Sequence, residues 1–168
     1  MVHYVNGNLL DSDCPIICHQ VNCKGVMNSG VAKAIRIKWP EVYYEYKKKY
    51  DMANDIAINN KNAIAADYLL GSTQCVELYS QENSRTKCVI NMFAQETYGY
   101  NGGQFTSYDA FFNCLCGIRA IVSPEVPVAF PDHIGCCRGG ANWNIIKTMI
   151  EEVLGEDYEV YIYKLEEK

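Results

Sequence analysis

The sequence predicts an α/β domain in which a central mixed sheet lies between layers of helices. Two observations predict this three-layer α/β/α sandwich. Short apolar runs typical of strands alternate along the chain with segments whose apolar residues recur at helical spacing. Two of these strands also lead directly into glycine-containing loops that are followed by helices. With 168 residues the chain has the length of one domain, which we expect to span 1–168.

The elements follow in order from these patterns. The apolar run at 16–21 predicts a strand, and Val31, Ala34 and Ile35 mark one face of the helix after it. Between 51 and 68 the pattern is ambiguous, and we predict a polar connector there. In chain order, the prediction is strand 2–6, strand 16–21, helix 29–39, helix 41–51, strand 73–80, strand 86–94, helix 106–122, strand 127–131, helix 142–155 and strand 158–164.

Two helices in the second half of the chain have recognisable starts. Thr106 followed by Asp109 is a capping-box pattern, and apolar residues then recur on one face as far as 122. Asn142 precedes the last helix and is a favourable N-cap residue, because its side-chain oxygen can satisfy a backbone N–H of the first turn.

The two glycine loops predict an anion site. Each lies where a strand passes into a helix, the first after 16–21 and the second after 127–131. Such a junction presents free backbone N–H groups and the positive end of a helix dipole. Two of them suit a diphosphate with a sugar on either side. Neither loop has GxGxxG or GxxxxGK[ST], which excludes the dinucleotide fingerprint and the P-loop.

Composition excludes several other classes. The formal net charge of -5 argues against nonspecific nucleic-acid binding, which needs a basic face. The nine cysteines show no CxxC spacing, so we expect free thiols rather than a zinc site or a disulfide framework. No stretch approaches the ~20 apolar residues of a membrane span. We expect a cytoplasmic monomer.

Four blocks of residues, in the expected order and spread over almost the whole chain, carry a resemblance to macro domains. They are Tyr-Val-Asn-Gly-Asn-Leu-Leu at 4–10, His-Gln-Val-Asn-Cys-Lys-Gly with Ser-Gly-Val-Ala at 19–32, Ile-Asn-Met-Phe-Ala-Gln at 90–95, and Ile-Gly-Cys through Gly-Ala-Asn-Trp at 134–143. The run at 160–165 fits the closing strand of that family. Within it, the chain resembles the branch of bacteria, phages and fungi that processes ADP-ribose-1″-phosphate.

The resemblance implies a pocket for ADP-ribose. Asn8 takes the place of the family's adenine-binding Asp, where its carbonyl can still accept a hydrogen bond. Tyr163 would stack on the adenine. Asn22 corresponds to the ribose-facing Asn of the family, although Asn also favours turns for local reasons. The expected ligand-binding residues are Asn8, Leu9, Asn22, Gly25, Ser29, Gly30, Val31, Gly135, Cys136, Arg138, Gly139, Gly140, Ala141 and Tyr163.

Two departures from the family pattern bear on mechanism. Mono-ADP-ribosyl hydrolases of the family carry an Asp in the first loop where this chain has Ala32. The lysine-dependent type carries a Lys where this chain has Gln95. The resemblance therefore implies neither of those two mechanisms.

We expect catalysis at His19. A histidine can transfer a proton near neutral pH, as phosphate-ester hydrolysis requires, and in the resembled branch a His of this motif lies beside the distal ribose. The alternative is a buried structural histidine. Relatives commonly have an acid at the position of Asn142, and we expect Asn142 as a second catalytic residue. Asp132, with His133 beside it, is the third, as a substitute proton-transfer group, unless both are ordinary turn residues.

The expected function is therefore ADP-ribose binding with hydrolysis of ADP-ribose-1″-phosphate or a related ADP-ribosyl ester. The alternative is a noncatalytic module that binds ADP-ribose or an ADP-ribosylated macromolecule. Neither interpretation invokes a metal or a cofactor.

Overall fold

The computed structural model describes residues 1–82 and 84–166, and it confirms the predicted mixed sheet between helical layers. The strands are β1 (Val2–Asn6), β2 (Ile16–Asn22), β3 (Thr73–Tyr79), β4 (Arg85–Gln95), β5 (Val128–Pro131) and β6 (Val160–Lys164). The helices are α1 (Gly30–Lys38), α2 (Pro40–Asn59), α3 (Ala66–Leu69), α4 (Tyr108–Ile121) and α5 (Trp143–Leu154), and a 3-10 turn spans Leu9–Asp11. No helix among the described residues is long and apolar enough to cross a membrane.

The order of the strands opens a crevice at one edge of the sheet. That order is β1-β6-β5-β2-β4-β3, and every neighbouring pair is parallel except β3 with β4. β2 and β5 are neighbours, yet the helix after β2 packs on one face of the sheet and the helix after β5 packs on the other. Connections that leave adjacent parallel strands toward opposite faces create a crevice beyond the carboxyl ends of those strands.

Each face of the sheet packs against its own helices. Ile17 and Val21 of β2 face α1 and α2, whereas Cys18 faces α4 and α5, as the alternation of side chains along a strand requires. Phe93 on the first face and Phe111 on the second are fully buried. Burying one such side chain contributes roughly 1.5–3 kcal/mol. The strands that carry the crevice are therefore held rigidly from both sides.

The segment predicted as a connector from 51 is helical instead. α2 continues to Asn59, and α3 follows it. The prediction was wrong because Ala53 and Ala57 continue the buried stripe that begins earlier in the helix at Val42 and Tyr46. Packing of that stripe on the sheet outweighs the polar residues on the exposed face.

The start of α4 differs from the capping-box prediction. Its N-cap is Ser107, whose side chain accepts a hydrogen bond from the backbone N–H of Ala110. Thr106 is buried just before the helix, and its hydroxyl donates to the carbonyl of Gly135 at 2.8 Å. The Thr106 hydroxyl, which the sequence pattern predicts as the helix cap, makes a tertiary hydrogen bond instead.

The structure also corrects the expectation that all cysteines are free. Cys75 on β3 and Cys88 on β4 form a disulfide, with their Cα atoms 6.3 Å apart. The antiparallel pairing of these strands brings together two cysteines that are 13 residues apart in the chain. Spacing alone does not reveal such a pair, because it depends on strand register.

Candidate functional site

A cavity of about 220 Å³ occupies the crevice at the carboxyl ends of β2, β4 and β5. Of the predicted site residues, His19, Asn22, Ser29, Gly30, Val31, Asp132, Gly135, Arg138 and Gly139 line it. The others lie outside its lining: Asn8, Leu9, Gly25, Cys136, Gly140, Ala141, Asn142 and Tyr163. Within the described ranges no cluster of His, Cys, Asp and Glu side chains is suited to holding a metal ion.

The N-terminus of α1 opens into this cavity. Ser29 is the N-cap, and its side chain makes no capping hydrogen bond. Gly30, Val31 and Ala32 line the cavity, and the N–H groups of a first helical turn have no partner within the helix. Because the helix dipole adds partial positive charge here, these groups suit an anion such as a phosphate.

Asn22 organises the loop that leads to α1. Its amide donates to the carbonyl of Val26 at 2.8 Å, and its Oδ1 accepts from the Lys24 N–H and the Tyr46 hydroxyl. These hydrogen bonds give Asn22 the local turn role that the sequence offers as the alternative to ribose contact. Asn22 is 8% exposed at the cavity wall, so most of its hydrogen-bonding capacity holds the loop.

Two glycines of this loop have different reasons to be glycine. A Cβ at Gly25 would lie 2.7 Å from Cδ1 of Tyr50, so this residue permits close packing away from the cavity. A Cβ at Gly30 would meet nothing within 4 Å, and Gly30 lines the cavity. Both have positive φ, at 73° and 57°. Gly30 therefore keeps space open in front of the helix N-terminus.

Glycines of the second loop serve packing. A Cβ at Gly139 would lie 2.3 Å from both the carbonyl of Gly135 and Oγ1 of Thr106, and one at Gly140 would lie 2.4 Å from the carbonyl of Gly103. The carbonyl of Gly139 accepts from the N–H groups of Phe105 and Thr106. The second loop is thus pinned to the segment that precedes α4.

Asn142 caps α5 as predicted, and it lies outside the cavity. Its Oδ1 accepts from the N–H of Asn144 at 2.9 Å, and its own N–H donates to the Tyr108 hydroxyl. The helix end that was predicted as a second anion site is therefore capped by its own side chain. Asn142 is not among the residues that line the cavity, and its Oδ1 is engaged in the helix cap.

Asp132 and His133 bring a carboxylate and an imidazole to the cavity wall. The Nδ1 atom of His133 lies 2.9 Å from a carboxylate oxygen of Asp132. The ring of His133 stacks on Trp143 at a centroid distance of 4.9 Å, and its φ of 53° is the left-handed conformation of a turn residue. Turn geometry and cavity contact therefore coexist at this pair.

His19 is only 1% exposed, on the floor of the cavity. Its Nε2 donates to Oδ1 of Asn91 at 2.5 Å, while its Nδ1 is buried and has no partner among the described residues. Burial lowers the pKa of His19 to about 4, although the hydrogen bond to Asn91 opposes this shift. The imidazole is therefore neutral at pH 7, and the prediction of proton exchange near neutrality does not fit its surroundings.

Side chains that sequence reasoning did not select form a second polar group at the strand ends. Gln20 donates to Oε1 of Gln95 at 2.7 Å and to the Thr106 hydroxyl at 2.8 Å. Gln95 in turn donates to the carbonyl of Thr97. Gln20 and Gln95 line the cavity, and the Oε1 of Gln20 is buried without a partner in the described part of the chain. The available signal was that each lies near the carboxyl end of a predicted buried strand.

Two tyrosines after β4 also line the cavity and were missed. Tyr98 and Tyr100 flank Gly99, and the guanidinium of Arg138 lies 4.6 Å from the ring centroid of Tyr100. The available signal was their position: they follow a buried strand whose carboxyl end lies beside that of β2.

The residues predicted to bind adenine lie beside the cavity, toward β6. Asn8 is the N-cap of the 3-10 turn, and its Oδ1 accepts from the N–H of Leu10 at 3.0 Å, which leaves one lone pair available. Leu9 is buried in the core. Tyr163 is half-buried near the end of β6, and its carbonyl accepts from the N–H of Asp132.

No known family profile matches the chain. The chain is 38% identical over 48 residues to the DNA ADP-ribosyl glycohydrolase of Mycobacterium tuberculosis, a match that covers 29% of this chain and 14% of that protein. It is 22% identical over 169 residues to the DNA ADP-ribosyl glycohydrolase of Thermus aquaticus, which covers 98% of this chain and 41% of that protein. The chain thus spans less than half the length of these relatives.

Solved structures share the architecture. The macrodomain of Mycobacterium tuberculosis DarG superposes with a TM-score of 0.73 at 22% identity over 97% of both chains. Thermosipho africanus DarTG, solved in complex with ADP-ribose, gives a TM-score of 0.70 at 18% identity over 97% of this chain and 41% of that one. Neither likeness singles out the branch that processes the 1″-phosphate. Together they show that this chain has the macrodomain fold.

Proposed function

We propose that this chain binds ADP-ribose in the cavity and releases it from a group attached to C1″ of the distal ribose. The observation that carries the proposal is the uncapped N-terminus of α1 opening into the cavity at Gly30. A diphosphate there would accept from free N–H groups in the positive field of the helix. Arg138, on the opposite loop, adds a formal positive charge.

The comparisons support this proposal. Thermosipho africanus DarTG has been solved with ADP-ribose, and the relatives from Mycobacterium tuberculosis and Thermus aquaticus are DNA ADP-ribosyl glycohydrolases. The expected ADP-ribose-1″-phosphate is one member of the proposed substrate class. Its hydrolysis also yields free ADP-ribose.

In the proposed reaction, the oxygen of a water molecule bonds to C1″ while the bond from C1″ to the attached oxygen or nitrogen breaks. The water gives up one proton, and the departing atom takes up a proton. We assign both transfers to the pair of Asp132 and His133, because the deeper His19 is neutral and enclosed. For the 1″-phosphate the products are ADP-ribose and inorganic phosphate.

Phosphate release from ADP-ribose-1″-phosphate tests the catalytic part. Asp132→Asn removes the carboxylate that pairs with His133 and should lower turnover roughly 100-fold, with ADP-ribose affinity within a few-fold of wild type. Asp55→Asn, an exposed acid on α2, is the matched control and should change neither value. Unchanged turnover in Asp132→Asn would remove this residue from the mechanism. Binding without turnover by the wild-type protein would favour the noncatalytic module.

A further inference from the structure

Two of the cysteines outside the disulfide have side chains that solvent can reach. Among those seven cysteines, Cys116 on α4 and Cys137 in the loop after β5 are exposed. Cys137 also lines the cavity, between Gly135 and Arg138 in the chain, whereas Cys116 does not. A reagent in solution can reach either thiol, but only a group attached to Cys137 would lie in the opening of the cavity.

The other five cysteines are enclosed or remain protonated. Cys136 is half-buried beside Cys137, and burial raises the pKa of its thiol to about 11, with a smaller contribution from the charges of Cys137 and Asp132. Cys136 is therefore a thiol at pH 7, whereas the thiolate is the form that attacks a disulfide. The remaining four are buried: Cys14, Cys18, Cys23 and Cys114. Reaction with a reagent in solution is thus confined to Cys116 and Cys137.

A cation follows Cys137 directly in the chain. Among the described residues, the guanidinium of Arg138 has no carboxylate partner. On α4, the cation closest in sequence to Cys116 is Arg119, and this guanidinium is paired with Asp157. Because an unpaired charge attracts counter-ions more strongly than a paired one, a negatively charged reagent should be drawn to Cys137 more than to Cys116.

The loop holds the Cys137 thiol beside the cavity and keeps its neighbour from displacing an adduct. The carbonyl of Gly139 accepts from the N–H of Phe105, and the N–H of Cys136 donates to the carbonyl of His133 at 2.9 Å. A disulfide between Cys136 and Cys137 would span Cα atoms about 3.8 Å apart, against about 4.4–6.8 Å in ordinary disulfides. Such a bond is strained and easily reduced, so a mixed disulfide on Cys137 persists.

The cavity behind this thiol has the features of a ligand site. Its floor carries an unpaired acceptor, because Nδ1 of His19 has no partner among the described residues and His19 is only 1% exposed. The uncapped N-terminus of α1 supplies N–H donors to the same space. A group fixed at the opening would therefore compete with the molecule that the cavity binds.

We propose that Cys137 is a site of reversible thiolation by an anionic low-molecular-weight disulfide such as glutathione disulfide, and that the adduct closes the cavity to ADP-ribose. The Cys137 thiolate bonds to one sulfur of the reagent while the bond between the two sulfurs of the reagent breaks. The departing thiolate takes up a proton equivalent to the one that Cys137 released, so one disulfide is exchanged for another. Carboxylates of the adduct can pair with Arg138, the cation that we assign to the diphosphate. The effect on binding rests on the proposed function.

Mass spectrometry and calorimetry test the inference together. After incubation with glutathione disulfide, peptide mapping should find one glutathione on Cys137. ADP-ribose affinity should fall roughly tenfold or more and recover with dithiothreitol. Cys137→Ser should show the same affinity before and after the treatment, each protein being compared with its own untreated sample. Cys137→Ala repeats this measurement, so that the result does not depend on the folding of one variant.

Cys116→Ser is the matched control, because it removes the other exposed thiol and leaves Cys137 in place. On treatment it should lose ADP-ribose affinity as the wild-type protein does. The role of Arg138 is tested with two methanethiosulfonates of opposite charge. At low salt the anionic reagent should modify Cys137 roughly threefold or more faster than the cationic one, and Arg138→Gln should remove the difference.

Modification of Cys116 with Cys137 left unmodified would overturn the inference, as would unchanged ADP-ribose affinity in protein that carries the adduct on Cys137. A mass decrease equal to two hydrogen atoms, mapped to Cys136 and Cys137, would overturn it as well, because the product would be a disulfide within the loop. Absence of ADP-ribose binding by the untreated protein would instead overturn the proposed function, and the effect on binding with it.

Discussion

At the scale of single residues, a row of three polar side chains fixes the proton on His19. The register places His19 beside Asn91, and Asn91 beside Gln74. The side-chain amide of Gln74 donates to the backbone carbonyl of Glu45, and a carbonyl can only accept. The Oε1 atom of Gln74 therefore faces Asn91 and accepts from its side-chain amide. Oδ1 of Asn91 then faces His19, and Nε2 of His19 must carry the proton. Nδ1 of His19 is therefore the unprotonated nitrogen, and it has no partner among the described residues.

Protonation of His19 should destabilise the fold in mild acid. The ordinary pKa is 6.5 and burial lowers it to about 4, so between these values the unfolded chain binds a proton that the folded chain does not. The stability linked to this group is complete above pH 6.5 and is lost as the pH falls toward 4, by roughly 2 to 3 kcal/mol at pH 4.5.

His19→Gln removes this titration and keeps an amide donor. Urea unfolding at pH 7 and at pH 4.5 should show that the wild-type protein loses more stability on acidification than the variant, by the same roughly 2 to 3 kcal/mol. Equal losses in the two proteins would show that His19 is not buried in its neutral form.

Gly25 and Gly30 should respond differently to alanine. Gly30→Ala should cost about 1–2 kcal/mol, since a left-handed backbone is the only penalty and no atom lies within 4 Å of the new Cβ. Gly25→Ala adds overlap with the Tyr50 ring and should cost about 2–5 kcal/mol. Denaturant unfolding of both variants measures the difference. Equal destabilisation would contradict the assignment of separate roles.

At the scale of elements, two substitutions of Asn142 distinguish its role as the N-cap of α5 from a catalytic role. Asn142→Ala should cost about 1 kcal/mol because the N–H of Asn144 loses its acceptor. Asn142→Asp should be neutral or slightly stabilising, since a carboxylate caps as well and favours the helix dipole. Because this residue lies outside the cavity, Asn142→Asp should leave phosphate release unchanged. A rise in turnover at equal melting temperature would restore the idea of a missing acid at this position.

The elements also show what the sequence can predict. β2, α1, β5 and α5 are predictable because apolar runs, glycines and a cap residue are local signals, and the cavity lies between them. For Tyr98 and Gln20 the sequence offers only their position at or after the end of a buried strand, because their place in the cavity depends on β4 lying beside β2. The burial of His19 likewise depends on how the helices pack over β2, and residue spacing in the sequence does not predict that packing.

At the scale of the whole molecule, the cavity joins the two layers of the domain. The loop before α1 belongs to the layer on one face, and the loop after β5 leads to the layer on the other. A diphosphate bound between these loops would connect the layers. Bound ligand at 100 times its dissociation constant should therefore stabilise the fold by about 2.7 kcal/mol.

Isothermal titration calorimetry with ADP-ribose tests the central claim most directly. We expect one site with a dissociation constant on the order of 1 μM, or about −8 kcal/mol. Gly30→Leu should abolish the heat while the protein remains folded, because its side chain would enter the space in front of the helix N-terminus. Absence of heat with wild-type protein, or tight binding of an unrelated nucleotide in its place, would contradict the account.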